Sequence, residues 1–93
     1  MIEGTYIICD RTYTVTLQNM GAGAIGACDN GNQDITIEAD LHPQTQASVM
    51  THEFFEAINE SMNLNLKHKT ISALETAWYA VLVQNPAWWR EET

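Results

Sequence analysis

The hydrophobic pattern of this chain changes period once, at Pro43, and that change constrains its fold more than any other feature. Before it, residues 5–9 and 13–17 are rich in β-branched and aromatic types, and Asp10-Arg11-Thr12 between them supplies a turn, so a β-hairpin is expected. Residues 20–26 show no period, and only 24–28 suit a short strand. Asp29-Asn30-Gly31-Asn32 is a dense turn signal, and residues 33–39 then alternate polar with apolar as a half-buried strand does. After it, the spacing predicts a helix over 43–63. Pro43 stands in its first turn, and Asp40 or His42 is placed to cap the free amides. Ala47, Met50, Phe54, Ala57 and Ile58 form the stripe expected to pack on a sheet, with His52, Glu53 and Glu56 turned roughly away from it. Residues 63–69 break the pattern. Thr70 then caps a second helix that ends near Asn85-Pro86 and buries Ile71, Leu74, Trp78, Val81 and Leu82. Strands followed by helices, with no βαβ alternation, predict an α+β domain: a small, mostly antiparallel sheet with both helices on one face.

At 93 residues, with no Pro/Gly/Ser-rich linker, one domain is expected, ending in a short tail over 87–93 that carries Trp88 and Trp89. A net charge of −8 with only four Lys and Arg argues against a nucleic-acid partner, because phosphate binding needs clustered cations. The same charge suits solubility, or docking on a basic protein. No run reaches the roughly 18 apolar residues that span a bilayer, so no membrane is expected. Met1-Ile2-Glu3-Gly4 does not begin a signal peptide, and Cys9 and Cys28 lie outside any C-x-x-C pair. A cytoplasmic protein with two reduced, buried cysteines is the expectation.

The chemistry-bearing residues gather in the first helix, which reads Thr51-His52-Glu53-Phe54-Phe55-Glu56. In H-E-x-x-H, two ligands one turn apart face a single metal ion and the intervening Glu polarises its water. Here His52 and Glu56 keep the i, i+4 spacing and Glu53 the catalytic place, with a carboxylate for the second imidazole. Carboxylate oxygen is an acceptable zinc ligand, though a His-Glu pair on an acidic helix fits a solvated polar face equally well. Glu75 falls on the apolar stripe of the second helix, four residues after Ile71. It needs a metal, Lys67, Lys69, His68 or an arginine as partner, or a place at the edge of the stripe from which it reaches solvent.

The order of a strand carrying Ile35 and Ile37, then His52-Glu53-x-x-Glu56-Ala57-Ile58, then a helix carrying Glu75 resembles the minimal zincin metallopeptidase domains frequent in bacteriophages and mobile elements, with HExxE in place of HExxH. The resemblance runs over about residues 27–86, and the eighteen residues between Glu56 and Glu75 match the pattern in which the next helix gives the third ligand. It implies His52, Glu56 and Glu75 as metal ligands and Glu53 as general base. It also implies a peptide lying antiparallel along the 33–39 strand. His68 has no fixed place in that pattern. It suits an alternative ligand, a group that orients a ligating carboxylate, an oxyanion stabiliser, or simply an exposed loop residue. His42 is expected only to start the helix. One histidine with two carboxylates is a harder, more anionic site than His₂Glu, so zinc competes there with manganese and other divalent ions.

Two functions follow as expectations. The first is a metal-dependent peptidase using a metal-activated water on a protein or peptide substrate. The second is a catalytically inactive zincin-like phage protein that binds and modulates a host protein in the host cytoplasm, through its acidic surface and the Trp88-Trp89 tail.

Overall fold

The structure, a computed structural model, describes residues 2–21 and 23–89, and for Trp88 and Trp89 the backbone only. It is an α+β fold in which a four-stranded, mostly antiparallel sheet precedes two long helices. β1 (Gly4–Ile8) and β2 (Arg11–Gln18) form the expected hairpin. Its two-residue turn is Cys9-Asp10, one position earlier than the polar residues suggest, with φ of 50° and 66°. Positive φ at both central residues is the turn whose twist matches that of the strands it joins. Cys9 is thereby exposed, against the expectation that both cysteines are buried, because a turn tip has no interior side.

β3 (Gly26–Asp29) and β4 (Asp34–Glu38) form a second hairpin, closed by Asp29, whose carboxylate accepts hydrogen bonds from the Asn32 backbone and side-chain amides. Strand order is β1-β2-β4-β3, and β4 lies parallel to β2. The connection through residues 19–25 therefore steps over the place that β4 will fill and puts β3 at the sheet edge. Gly21 and Gly23, at φ of 85° and 83°, let that connection bend where a side chain would be strained. Glu38 fastens it. One carboxylate oxygen accepts from the Met20 amide and the other from the Asp40 amide, each at 2.9 Å.

These two hydrogen bonds, Met20 first, hold the Glu38 carboxyl below the usual carboxylate range. The sign follows by linkage. The folded chain binds fewer protons than the unfolded one, so this stabilisation is complete above the ordinary value of 4.5 and is lost as pH falls through the lower folded value. Glu38→Gln, with one acceptor oxygen in place of two, is expected to melt below the parent at neutral pH, by a margin that closes on acidification. Melting curves of both chains between pH 7 and pH 3 check this, and a gap that does not change with pH would refute it.

One face of the sheet is the core. Tyr13, Val15, Ile35 and Ile37 point to it from β2 and β4 and are at most 2% exposed, while Thr12, Thr14 and Thr16 alternate onto the solvated face. α1 (Pro43–Ser61) covers the core face. His42 caps it, its Nδ1 accepting from the Gln44 amide at 3.1 Å. Met62 closes it, and Asn63 follows at φ 52°, the left-handed position that commonly ends a helix.

The stripe that α1 buries differs from the expected one. Gln46, Val49, Glu53 and Ala57 face the sheet, and Met50, Phe54 and Ile58 pack on the flank of the core. The cause is the position of the edge strand. α1 packs chiefly on β3 and β4, so the side carrying Gln46, Val49 and Glu53 meets the sheet. α2 (His68–Gln84) starts two residues before Thr70 and carries no side-chain cap at Lys67. It packs on α1 and on the short α3 (Pro86–Trp89), not on the sheet. This third-layer position explains why, of the stripe expected to be buried, Ile71 is buried and Leu82 half-buried while Leu74, Trp78 and Val81 are 40–44% exposed. The side chains of Trp88 and Trp89 lie outside the described residues. No helix among the described residues is long and apolar enough to cross a membrane.

Candidate functional site

His52, Glu53 and Glu56 stand on the central turns of α1, and α2 brings His68 and Glu75 across to them. The connection between the helices is held to this geometry by Asn59. Its backbone carbonyl accepts from the Leu64 amide, and its side-chain oxygen accepts from the Leu66 amide at 2.8 Å. His68, expected in the inter-helix loop, is the first residue of α2 and is 76% exposed at its side chain. With β3 the two helices enclose a cavity of about 470 Å³, lined among others by Gly26, Val49, His52, Glu53, His68 and Glu75.

The distances resolve two groupings about one imidazole. His52 Nε2 lies 3.3 Å from Glu56 Oε2, and that same oxygen is 3.4 Å from His68 Nδ1. The donor atoms of His52, Glu56 and His68 all fall within 4.8 Å of one another. On the other side of the ring, His52 Nδ1 lies 4.0 Å from Glu75 Oε1, and Glu75 Oε2 is buried with no hydrogen-bond partner. The His52 and His68 rings meet edge to face, 4.9 Å between centroids. The structure therefore brings together all five residues singled out in the sequence, with the carboxylate of Glu56 between the two histidines.

His52, Glu56 and His68 are a group that could hold a metal ion. Two ligands at about 2.1 Å from a tetrahedral metal are about 3.4 Å apart, which is the spacing of Glu56 Oε2 to each histidine nitrogen. Glu53 and Glu75 line the cavity, and Glu75 Oε2 is buried there with no hydrogen-bond partner.

Glu53 is placed differently from its expected outward direction. About 100° around the helix from His52, it turns beneath the metal-ligand candidates and is 7% exposed against the edge of the sheet. Desolvation first, and then the neighbouring Glu56 carboxylate, push its pKa up to about 7, with His68 acting in the opposite direction. A carboxyl that titrates there can take and return a proton at neutral pH. Cys28, nearby on β3, is held as a thiol by burial and by the Glu53 and Glu56 charges, its pKa pushed up to about 12, which removes it as a nucleophile.

A residue missed in the sequence makes room for Glu53. A Cβ at Gly26 would sit 2.5 Å from Val49 Cγ1 and 2.9 Å from Glu53 Oε2, so only glycine lets α1 settle this closely on β3. The signal available in the sequence was a lone glycine in a short strand, which often marks a close backbone approach. Gly26→Ala is expected to cost about 1–3 kcal/mol by overpacking and to displace the Glu53 carboxylate. Thermal melting checks the first effect, and an unchanged midpoint would show that Val49 and Glu53 move aside freely.

The strand bordering the site also differs from expectation. β4, within the expected 33–39 segment, is interior to the sheet, paired on both sides, and β3 presents the free edge next to His52 and Glu53. A larger groove of about 540 Å³ between α1 and α2, lined by Met50, Phe54, Phe55, Trp78 and Leu82, contains no carboxylate or imidazole. The site chemistry lies in the smaller cavity. No family model, curated protein or solved structure matches the chain.

Proposed function

We propose that this chain is a small metal-dependent hydrolase of peptide bonds, with His52 and Glu56 as metal ligands, a third ligand from α2, and Glu53 as general base. The observation that carries the reading is the juxtaposition of the buried Glu53 carboxyl with the His52–Glu56–His68 donor group, two of whose members, His52 and His68, line the same cavity as Glu53. A divalent ion held there supplies Lewis acidity, and zinc or manganese suits a donor set of imidazole and carboxylate. The chain's own residues do the rest. Glu53, buried on the wall of the cavity beside His52, accepts a proton from the attacking water and returns it to the leaving amine. β3 offers unpaired backbone groups along the rim of the cavity, so an extended peptide added there as a further strand would pass its backbone across Glu53 and His52.

The experiment is cleavage of a broad peptide library by zinc- or manganese-loaded protein at neutral pH, with the same protein stripped by chelator as control. Metal-dependent cleavage supports the reading, and its absence across the library moves the weight to a second one. That second reading is a non-enzymatic module that binds another protein. It is favoured by the exposed apolar residues of α2, Leu74, Trp78 and Val81, beside Phe55 and Ile58 of α1. Metal content separates the two early, since stoichiometric metal in protein purified without chelator is expected only of the first.

A further inference from the structure

We infer that the third metal ligand from α2 is His68, and that Glu75 is the positioning residue that fixes the ring of His52. This rests on the metal reading above and decides between the two residues that α2 brings to the site.

One imidazole nitrogen can serve one ion, and the two nitrogens of His52 face different neighbours. Nε2 points to Glu56 Oε2 at 3.3 Å, and the third donor near that oxygen is His68 Nδ1 at 3.4 Å. These two separations are those of ligands of one tetrahedral ion at about 2.1 Å, and the donor atoms of all three residues lie within 4.8 Å of one another. Glu75 lies instead on the Nδ1 side of the ring, 4.0 Å from that nitrogen. An ion bound at Nε2 leaves Nδ1 carrying the proton. A carboxylate facing that N–H is the usual means of setting the tautomer and orientation of a ligating histidine, and it also raises the basicity of the ligating nitrogen. Burial agrees with this division. Glu75 has a side-chain exposure of 15%, behind His52 at 16%, whereas His68 at 76% stands at the mouth of the cavity, where an ion from solvent would arrive. The backbone at His68 is fixed by its place at the start of α2, with only Lys67 between it and Leu66, whose amide Asn59 binds.

The assignment gives a His₂Glu donor set assembled in an order unlike that expected from the sequence. One histidine comes from the HExxE helix, the carboxylate stands where the second histidine of HExxH would be, and the second histidine begins the next helix. The imidazole absent from position 56 is thus supplied from position 68.

The test is cobalt binding followed by visible absorption, with zinc competition for affinity, on the parent, His68→Ala, Glu75→Gln and Glu75→Ala. Circular dichroism of each metal-free variant verifies the fold. His68→Ala is expected to lose more affinity than either Glu75 variant and to change the cobalt spectrum. Glu75→Ala is expected to lose about 10–100-fold, as residues that orient a ligand do, with most of the loss restored in Glu75→Gln, whose amide oxygen can still accept from Nδ1–H. Long-range proton–nitrogen correlation spectra of the zinc-loaded parent provide a measurement that needs no variant. They should show His52 metallated at Nε2 and protonated at Nδ1, with the Nδ1 resonance moved in Glu75→Ala. Metallation at Nδ1, or a larger loss from Glu75→Gln than from His68→Ala, would overturn the assignment while leaving the metal reading standing. A parent that takes up no cobalt or zinc overturns the metal reading itself, and the assignment with it, before any variant is compared.

Discussion

Glu53→Gln is expected to lower metal-dependent peptide hydrolysis by about 10²–10⁴-fold, the usual contribution of a positioned general base, while leaving metal affinity nearly unchanged. His52→Ala is expected to remove both. The two outcomes separate because the side chains diverge by about 100° around α1. His52 faces Glu56 and His68, and Glu53 turns beneath them toward Gly26. Glutamine keeps the shape that Val49 and Gly26 accommodate but cannot accept a proton at neutral pH. The measurement is initial-rate cleavage of a library-derived peptide, alongside zinc affinity, for parent and both variants. Full activity in Glu53→Gln would remove the proposed base. Loss of metal binding in the same variant would instead make Glu53 a ligand.

Removing the metal is expected to lower the melting temperature by about 10–20 °C. The donors converge only when α1 and α2 are packed together, so an ion that binds them stabilises the folded state by mass action. At a free concentration about a hundred times the dissociation constant the gain is about 2.7 kcal/mol, and a domain of this size shifts by about 4–8 °C per kcal/mol. The effect should be concentrated in α2, which has no sheet to pack on and buries only Ile71. Amide exchange in α2 should therefore quicken on chelation more than in β2 or β4. Protein shown to carry metal, but melting at the same temperature after exhaustive EDTA treatment, would deny the ion any part in holding the two helices together.

The legibility of the site varied from residue to residue. His52 and Glu56 were readable because i, i+4 spacing on a helix fixes a common face whatever the helix packs against. Glu75 was noticeable because a carboxylate within an apolar stripe demands a partner, and the structure sets its Oε1 4.0 Å from His52 Nδ1 and leaves its Oε2 buried without a hydrogen bond. His68 was ambiguous, since a histidine in a polar connection has no periodicity to orient it. Its place depends on Asn59 binding the backbone of Leu64 and Leu66, a pair of contacts local in space that no sequence pattern announces.

Local pattern was enough for the order of strands and two long helices, the α+β class, the first hairpin and the helix start at His42 and Pro43, because these rest on alternation, turn chemistry and the free amides of a first turn. Tertiary structure decided which strand lies at the edge and which faces the helices bury. β3 and β4 are joined as a hairpin, and β4 pairs with β2, across a separation in the chain that leaves no local trace. That pairing put β3 beside the site, rotated Glu53 under α1 against Gly26, and left α2 without a sheet to cover its apolar residues. Periodicity specifies that a helix has a side to bury. What it is buried against, and therefore which carboxyl is dry enough for burial to push its pKa up, depends on partners brought in from elsewhere in the chain.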